Sequence, residues 1–405
     1  MIDMHQLIAT PFLDDGHLIL KPGSEQGMRI PAGHYEQLRD LSARHGPVPD
    51  WLGNAAMNGW GLRLRDKPVN QVVTVRQPSN YGYGYGRASW ELNLGCNYDC
   101  EHCYLDIKRF EGLAWEQRVR LLHILRDAGV VWLQLTGGEP LIDKLFTETY
   151  THAWDLGMMI SISTNASRLW KPEILDLLRT RPAYHITISV YGATADSYDA
   201  LVRRRGAFDK FHRGLAAASG AGLTMNLNLV VTKTNDAEVD GMIALAEGFG
   251  LPYHVFSNIS PTIMGSARSL PAQSMPLLKA RKPFTGCNAG HTFFHVDPHG
   301  MASICKVGRD PNIDLLAEGV EGLRRLGGIA DGLLARTGGC SGCSVQGTCN
   351  TCMPLVRLYR QAKSPMERYC QHRESGEVIV NGTDSHSDPA GTGHGRAVPA
   401  SAATA

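Results

Sequence analysis

The cysteines are the side chains of this sequence best suited to chemistry, and they are strongly grouped. The chain of 405 residues contains ten of them. They form three groups: Cys96, Cys100 and Cys103; Cys287 and Cys305; and Cys340, Cys343, Cys349, Cys352 and Cys370. In a reducing compartment, cysteines grouped in this way are more often metal ligands than disulfide partners. The sequence therefore predicts metal sites.

The first group has the spacing C-x3-C-x2-C. Three thiolates on one loop can bind three irons of a [4Fe–4S] cluster, and the fourth iron is then open to a substrate or cofactor. A structural zinc ion needs four ligands, and no fourth is obvious, although His102 lies within the group. An iron–sulfur cluster is favoured, with zinc, a disulfide pair and ordinary buried cysteines as the alternatives.

The seven later cysteines also have a regular spacing. Twelve residues separate Cys287 from Gly300, four separate Gly300 from Cys305, and a C-x2-C-x5-C-x2-C run precedes Cys370. The two pairs of a zinc ribbon are typically about 15–20 residues apart, and five residues separate the pairs here. A thioredoxin-like CxxC motif would explain only two cysteines. Further iron–sulfur clusters are therefore favoured over a zinc ribbon.

A regular alternation of strand and helix patterns begins at residue 88 and would position the first group. Six strand patterns alternate with helical patterns such as the apolar spacing of Trp115, Val119, Leu122 and Leu125. Such units form a parallel sheet, and six are fewer than the eight of a closed barrel. The predicted fold class is α/β: a partial (β/α)6 TIM-like barrel with a small N-terminal α+β domain and a Cys-rich C-terminal cluster-binding domain.

Reactive and polar residues follow the first four predicted strands. Cys96 follows the first strand, Gly137 the second, Asn165 the third, and Ser189 to Tyr191 close the fourth. Parallel α/β folds build their sites at these carboxyl ends. We therefore expect these residues to share one site.

The flanking segments differ from the α/β region. Residues 1–80 carry strand, turn and helix patterns, and the stretch 81–87 is typical of a glycine-rich linker, although its tyrosines could also line a pocket. The tail from Thr383 is small and polar. The predicted domains are an N-terminal domain (1–80), the barrel (81–283), a cluster-binding domain (284–375) and a disordered tail (376–405).

Composition and charge exclude several classes of partner. The net charge is +1, with 40 basic and 39 acidic residues, so neither nucleic acid nor a membrane surface is expected as a partner. The sequence shows no apolar run that would span a bilayer and no secretory signal pattern at its start. The expected location is the cytoplasm.

The first cysteine group and a later motif together carry a family resemblance. C-x3-C-x2-C after the first strand, with GGEP (Gly137 to Pro140) after the second, resembles the radical S-adenosylmethionine (SAM) superfamily. The resemblance implies that the open iron binds the methionine part of SAM, and that the GGEP backbone reaches the SAM amino group. His102 stands where an aromatic residue near the adenine is frequent.

The same resemblance implies further SAM contacts. Ser163 and Asn165 are similar to positions that touch the ribose, Ser189 follows at the fourth strand, and Arg205 is our choice from the run 203–205 as a partner for the SAM carboxylate. A turn-capping role is the alternative for Asn165, backbone hydrogen bonding for Ser189, and a solvated charge run for the arginines. The implied cofactor-binding residues are His102, Gly137, Gly138, Glu139, Pro140, Ser163, Asn165, Ser189 and Arg205.

Residues 284–375 are similar to the SPASM extension of radical SAM enzymes, since seven cysteines and the interposed Gly300 agree in order and approximate spacing. One departure is the two residues between Cys349 and Cys352, where the family usually has three. By this resemblance, one auxiliary [4Fe–4S] cluster is held by Cys340, Cys343, Cys349 and Cys370, and another by Cys287, Cys305 and Cys352. Three ligands suggest that the latter cluster has an open iron or a non-cysteine ligand, and spectra unchanged by added thiolate would count against this hypothesis.

The resemblance implies an enzyme that reduces SAM to methionine and a 5′-deoxyadenosyl radical, which abstracts a hydrogen atom from the substrate. Substrates in the family are mostly ribosomally made peptides, which gain carbon–carbon, ether or thioether crosslinks, and the electron donor is a flavodoxin- or ferredoxin-type protein. The alternatives are a small-molecule dehydrogenase and a non-catalytic iron–sulfur electron carrier. Residues 15–75 faintly resemble the winged-helix element that captures leader peptides by strand addition, and a plain structural cap is the alternative there.

Overall fold

The computed structural model describes residues 5–12, 16–77, 84–106, 108–279, 287–333, 340, 342–346, 349 and 351–370. All ten cysteines are among them. The tail predicted to be disordered, 376–405, lies outside the described residues, as do residues 81–83 of the predicted linker. Two β-sheets organise the described part of the chain.

The N-terminal unit consists of a four-stranded sheet and three helices. Its elements, in chain order, are β1 (Leu7–Phe12), β2 (Gly16–Leu20), β3 (Gly27–Ile30), α1 (Ala32–Ala43), α2 (Asp50–Trp60), α3 (Val69–Val72) and β4 (Val73–Val75). The strand order is β3-β2-β1-β4, and only the β1–β4 pair is parallel. Strand β1 is not predicted from the sequence. Its first four residues are buried on both faces, so the alternation of apolar and polar residues typical of a half-buried strand is missing.

The second sheet begins with six parallel strands, in the order β10 to β5: β5 (Arg87–Glu91), β6 (Trp132–Thr136), β7 (Met159–Thr164), β8 (His185–Val190), β9 (Met225–Val230) and β10 (Tyr253–Phe256). The helices between them are α4 (Trp115–Asp127), α5 (Phe146–Asp155), α6 (Pro172–Thr180), α7 (Ala195–Val202), α8 (Ala207–Gly220) and α9 (Val239–Gly248). The predicted α/β class and six-unit partial barrel are confirmed. Within the described ranges, no strand pairing closes the sheet on itself.

Three more strands extend the same sheet beyond β5: β11 (Phe293–Val296), β12 (Met301–Ser303) and β13 (Ile313–Asp314). Strand β11 is parallel to β5, and the last two strands are antiparallel additions. The remaining helices are α10 (Leu315–Glu318), α11 (Leu326–Gly332) and α12 (Met353–Gln361), with 3-10 turns at Pro140–Ile142, Asp236–Glu238, Leu270–Ala272, Gly319–Arg325 and Met366–Arg368. The cysteine-rich segment therefore shares a sheet with the barrel, and its predicted boundaries remain predictions.

The strands of the barrel have one apolar face and one polar face. In β8, the buried Ile186, Ile188 and Val190 alternate with half-buried polar residues, and these apolar residues belong to the same core as those of the covering helices. The polar face is internally hydrogen-bonded, because Gln134 donates to Ser163 Oγ at 2.9 Å and Thr187 donates to Asn226 Oδ1 at 2.8 Å. A polar concave face can bind a polar ligand where a closed barrel would be filled with apolar side chains.

The N-terminal unit packs against the amino ends of the barrel strands. Leu18 and Leu20 of β2 form a buried cluster with Val131, which precedes β6, and with Met159, which opens β7. The two units thus meet at the end of the barrel opposite to the predicted site. No helix in the described part of the chain is both long and apolar enough to cross a membrane.

Candidate active site

The first cysteine group lies on the loop after β5, and its thiols are close enough to affect one another. Burial is the main cause that raises the pKa of the Cys96 thiol to about 12, and the charges of Glu139 and Cys103 add to this rise. Burial also raises the pKa of Cys100 well above its ordinary value, and the charges of Cys96 and Cys103 act in the same direction. Three neighbouring thiolates therefore need a cationic partner, which an iron–sulfur cluster provides.

The donor set fits such a cluster. The backbone N–H of Tyr98 donates to Cys96 Sγ at 3.4 Å, a contact of the kind that tunes cluster potentials. Within the described residues, no three or more His, Cys, Asp or Glu side chains are arranged to hold a single metal ion. In a cubane each thiolate binds a different iron, so the sulfur atoms of the three cysteines need not converge on one point. Three thiols would leave one iron for another ligand.

The Gly137-Gly138 pair allows the loop after β6 to lie directly on the cysteine loop. The N–H of Gly138 donates to Asn93 O at 3.0 Å, and the N–H of Glu139 donates to Gly95 O at 2.9 Å. A Cβ on Gly137 would lie 2.2 Å from Asn93 O, and one on Gly138 would lie 2.1 Å from Gly95 O. Gly137 also has φ +143°, in the region that favours glycine. Only glycine permits this approach at both positions.

Glu139 connects the ends of β6 and β7. Its buried carboxylate accepts hydrogen bonds from Thr164 Oγ1 at 2.7 Å, the Asn165 N–H at 2.7 Å and the Leu141 N–H at 3.0 Å. Burial raises the pKa of Glu139 to about 7, although these hydrogen bonds oppose the rise. With its oxygens occupied by donors of the protein, Glu139 fixes the geometry of the loop that carries GGEP.

Asn165 and Ser163 lie at the same end of the barrel. Asn165 Nδ2 is 3.9 Å from Cys96 Sγ and donates to Asn97 Oδ1 at 3.0 Å. Asn165 therefore adjoins the cysteine loop, and its Oδ1 also caps the following turn at the N–H of Ser167. Ser163 accepts its hydrogen bond from Gln134 on the polar face of the barrel. Their roles at a ribose stay predictions.

His102 and Tyr191 form an aromatic pair beside the thiols. Their ring centroids are 5.3 Å apart. Burial lowers the pKa of His102 to about 4, so its imidazole is neutral at pH 7. Burial raises the pKa of Tyr191 well above its ordinary value, with the charge of Cys100 adding to the rise and Ser189 opposing it. A neutral ring at position 102 can pack against another flat ring, as the family's aromatic residue would.

Arg205 stands apart from these residues. Its side chain is exposed, and no contact joins it to the cysteine loop in the part of the chain that the structure describes. The charge of Arg168 instead reaches Glu139. It adds to the hydrogen bonds in opposing the rise of the Glu139 pKa that burial causes. Arg168 lies outside every motif of the sequence, so no signal pointed to it.

The later cysteines are brought together in two sets. Burial raises the pKa of Cys305 to about 11, and the charges of Cys352 and Cys287 add to this rise. Burial likewise raises the pKa of Cys349, with contributions from Cys370, Cys340 and Cys343. Backbone N–H groups donate to two of the sulfurs, from Ala289 to Cys287 at 3.4 Å and from Gly308 to Cys305 at 3.2 Å. These sets coincide with the two ligand sets that the SPASM resemblance implies.

A buried carboxylate network lies between the first cysteine group and Cys305, and sequence reasoning missed it. Glu91 is fully buried and accepts two hydrogen bonds from Arg309, at 2.9 Å and 2.8 Å. Tyr104 Oη donates to Glu91 at 3.3 Å and to Gly137 O at 3.2 Å. Burial alone would raise the pKa of Glu91, but its contacts with His295 and Arg309 hold the pKa well below its ordinary value. The only sequence signal is a glutamate inside a strand pattern that is otherwise buried.

Comparison with known proteins agrees with this geometry. Residues 90–246 match the family model of the radical SAM superfamily. The AdoMet-dependent heme synthase of Methanosarcina barkeri is 30% identical over 173 residues, which cover 42% of this chain and 49% of that protein. The mycofactocin maturase MftC of Mycobacterium ulcerans is 28% identical over 240 residues, which cover 55% of this chain and 63% of that protein. The matches thus span about half to two thirds of these relatives.

A solved structure extends the likeness in fold to most of the chain. The crystal structure of Streptococcus suis SuiB bound to its precursor peptide SuiA has a TM-score of 0.57 at 13% identity, and the match covers 92% of this chain and 99% of that one. The fold and the site define a partial α/β barrel with a three-cysteine loop at its carboxyl end. Residues 90–246 belong to the radical SAM superfamily, and the chain carries a radical SAM domain.

Proposed function

We propose that this chain is a radical SAM enzyme that abstracts a hydrogen atom from a ribosomally made peptide, giving an oxidative modification or a crosslink. The observation that carries the proposal is the meeting of three thiols, the GGE backbone and Asn165 at the carboxyl ends of neighbouring parallel strands. A [4Fe–4S] cluster with SAM bound would supply one-electron cleavage of SAM to methionine and a 5′-deoxyadenosyl radical. The chain's own residues bind, orient and enclose these groups.

The residues predicted from the sequence have distinct parts in this arrangement. Cys96, Cys100 and Cys103 would hold the cluster, leaving one iron for SAM. The GGEP loop, fixed by Glu139, would present its backbone to the SAM amino group, and the neutral His102 would pack by the adenine. Ser163, Asn165, Ser189 and Arg205 complete the proposed SAM contacts. Cys340, Cys343, Cys349 and Cys370 would hold one auxiliary cluster, and Cys287, Cys305 and Cys352 the other, with an open or non-cysteine position.

The names of similar proteins support a peptide as substrate. The relative MftC is a mycofactocin maturase, and SuiB has been crystallised with a precursor peptide. The AdoMet-dependent heme synthase, in contrast, keeps a small-molecule substrate as the second candidate. The N-terminal unit favours the peptide, because, among the described residues, its strand β3 pairs with β2 alone and offers its other edge to an added strand. We propose that this unit binds the leader part of the substrate.

The electron donor and the location are further parts of this proposal. A flavodoxin- or ferredoxin-type protein is proposed as the reductant. None of the ten cysteines is paired in a disulfide, which supports a reducing compartment, and we propose the cytoplasm.

The test is SAM cleavage by the anaerobically reconstituted, reduced protein. We expect 5′-deoxyadenosine from the wild type and none from the Cys96→Ala, Cys100→Ala, Cys103→Ala triple variant, which should retain about eight irons, as in two cubanes. The retained iron is the control for folding. No 5′-deoxyadenosine from a fully iron-loaded wild type, with or without peptides, would refute the proposal and favour an electron carrier.

A further inference from the structure

Lys306 is a half-buried lysine whose ammonium has no carboxylate partner in the described ranges. Its Nζ donates to Thr136 Oγ1 at 3.4 Å and lies 5.9 Å from the centre of the Tyr104 ring. Both contacts are with neutral groups. A cation removed from water without an anion is unfavourable, so this position is suited to an anion supplied by a ligand.

Glu91, the carboxylate whose charge reaches Lys306, already has other partners. Glu91 forms a two-point ion pair with Arg309, lies 3.4 Å from His295 Nε2 and accepts from Tyr104. The charges of Glu91 and Arg309 therefore cancel. Lys306 adds one further positive charge, and a carboxylate, which has the opposite charge, would complement it.

The location of Lys306 is between the two reactive parts of the molecule. It follows Cys305 in sequence, but its ammonium contacts Thr136, the residue before Gly137, and Tyr104, the residue after Cys103. A ligand held there would touch both the proposed SAM site and the loop of the proposed auxiliary cluster. A substrate radical has to lie within reach of both.

We propose that Lys306 anchors a carboxylate of the substrate, either an Asp or Glu side chain or a free C-terminus, and thereby orients the peptide between the two sites. This inference rests on the proposed function and narrows its substrate class. Tyr104 and the Glu91–Arg309 pair act as positioning residues, because Glu91 accepts a hydrogen bond from Tyr104 and so fixes the ring near which the lysine ammonium lies. Lysine suits this task because its single charge sits on a flexible stem.

The test measures binding of acetate and of acetamide, its neutral analogue, to the full cluster-loaded chain. In the reduced protein the paramagnetic clusters speed the relaxation of the methyl protons of any bound probe. We expect Lys306→Gln to weaken acetate binding at least ~10-fold, as for loss of a charge-assisted hydrogen bond. Lys306→Arg should retain most of the binding, and the exposed Lys210→Gln on α8 should retain all of it.

Two further arms make every outcome informative. If acetate binds no better than acetamide, or if Lys306→Gln binds acetate like the wild type, the inference is overturned. If SAM displaces acetate and 5′-methylthioadenosine does not, the anchored carboxylate belongs to SAM, which also overturns it. If Lys306→Gln loses iron, acetate binding by Lys306→Met is compared with that of the wild type instead. SAM cleavage assayed in the same samples separates failure of the proposed function from failure of this subsite.

Discussion

At the scale of single residues, the candidate site depends on backbone contacts that side chains would prevent. The GGE segment donates two N–H groups to the loop that carries Cys96, and this is possible because neither glycine has a Cβ. The cysteine loop and the GGEP loop, the proposed SAM-binding loop, are thereby held as one rigid body. The position of the proposed cluster then depends on the absence of a side chain at both Gly137 and Gly138.

Gly138→Ala should separate the two loops. Its new Cβ would lie 2.1 Å from Gly95 O, so the backbone must move, at a cost of about 2–4 kcal/mol. We expect SAM cleavage to fall at least ~10-fold. Gly220→Ala is the matched control, because nothing lies within 4 Å of its Cβ at the exposed end of α8. Unchanged SAM cleavage in Gly138→Ala would contradict the proposed role of the contact.

Sequence alone predicted the reactive residues better than their supports. The cysteine spacing, GGEP and the strand ends placed Cys96, Gly138 and Asn165 correctly at one end of the sheet, because the order of elements dictates that meeting. The Glu91–Arg309 pair and the contact of Lys306 with Thr136 could not be predicted, since they join the ends of β5 and β6, respectively, to a loop after β12. No local pattern encodes a contact over such a distance in sequence.

At the scale of elements, the N-terminal unit presents an open sheet edge. Strand β3 pairs on one side with β2, and in the part of the chain that the structure describes, the order β3-β2-β1-β4 leaves its other side without a strand. Exposed edges of this kind accept a further strand through main-chain hydrogen bonds. Strand addition therefore fits the proposed capture of a leader peptide.

Proline scanning of β3 tests this capture. Successive N–H groups of an edge strand point alternately toward its partner and outward, so one of Met28→Pro and Arg29→Pro removes only an outward donor. That variant should bind any precursor peptide that the enzyme modifies at least ~10-fold more weakly, measured by fluorescence anisotropy. Its peptide-independent SAM cleavage is the control and should not change. If both variants and a chain lacking residues 1–78 bind the peptide as tightly as the wild type does, the N-terminal unit is a structural cap and does not bind the leader.

At the scale of the whole molecule, the N-terminal unit is fixed to the barrel by burial of aromatic and apolar surface. His5 stacks on Trp154 of α5, with ring centroids 3.8 Å apart. Burial, with help from the charge of Arg181, lowers the pKa of His5 to about 4. Protonation of this ring therefore opposes the docked arrangement.

His5→Phe should remove a pH dependence from folding stability. A histidine whose pKa is lower in the folded chain than in the unfolded chain is protonated first when unfolded, so its contribution is present above about pH 6.5 and is lost as pH falls toward 4. Between pH 7.5 and pH 5 the wild type should lose about 2 kcal/mol more than His5→Phe. Urea unfolding of the two chains at both pH values measures the difference. Parallel losses would show that His5 titrates alike in both states.

The parallel pairing of β11 with β5 also decides when the protein can finish folding. Phe293 lies opposite Arg87, so about 200 residues must be synthesised between the two strands before they can meet. Until then β5 has an unpaired edge, with N–H and C=O groups open to other chains. The nascent barrel is thus most liable to aggregate after β5 has been synthesised and before β11 has. Pairing of β11 with β5, close to where the later cysteines begin, removes that liability.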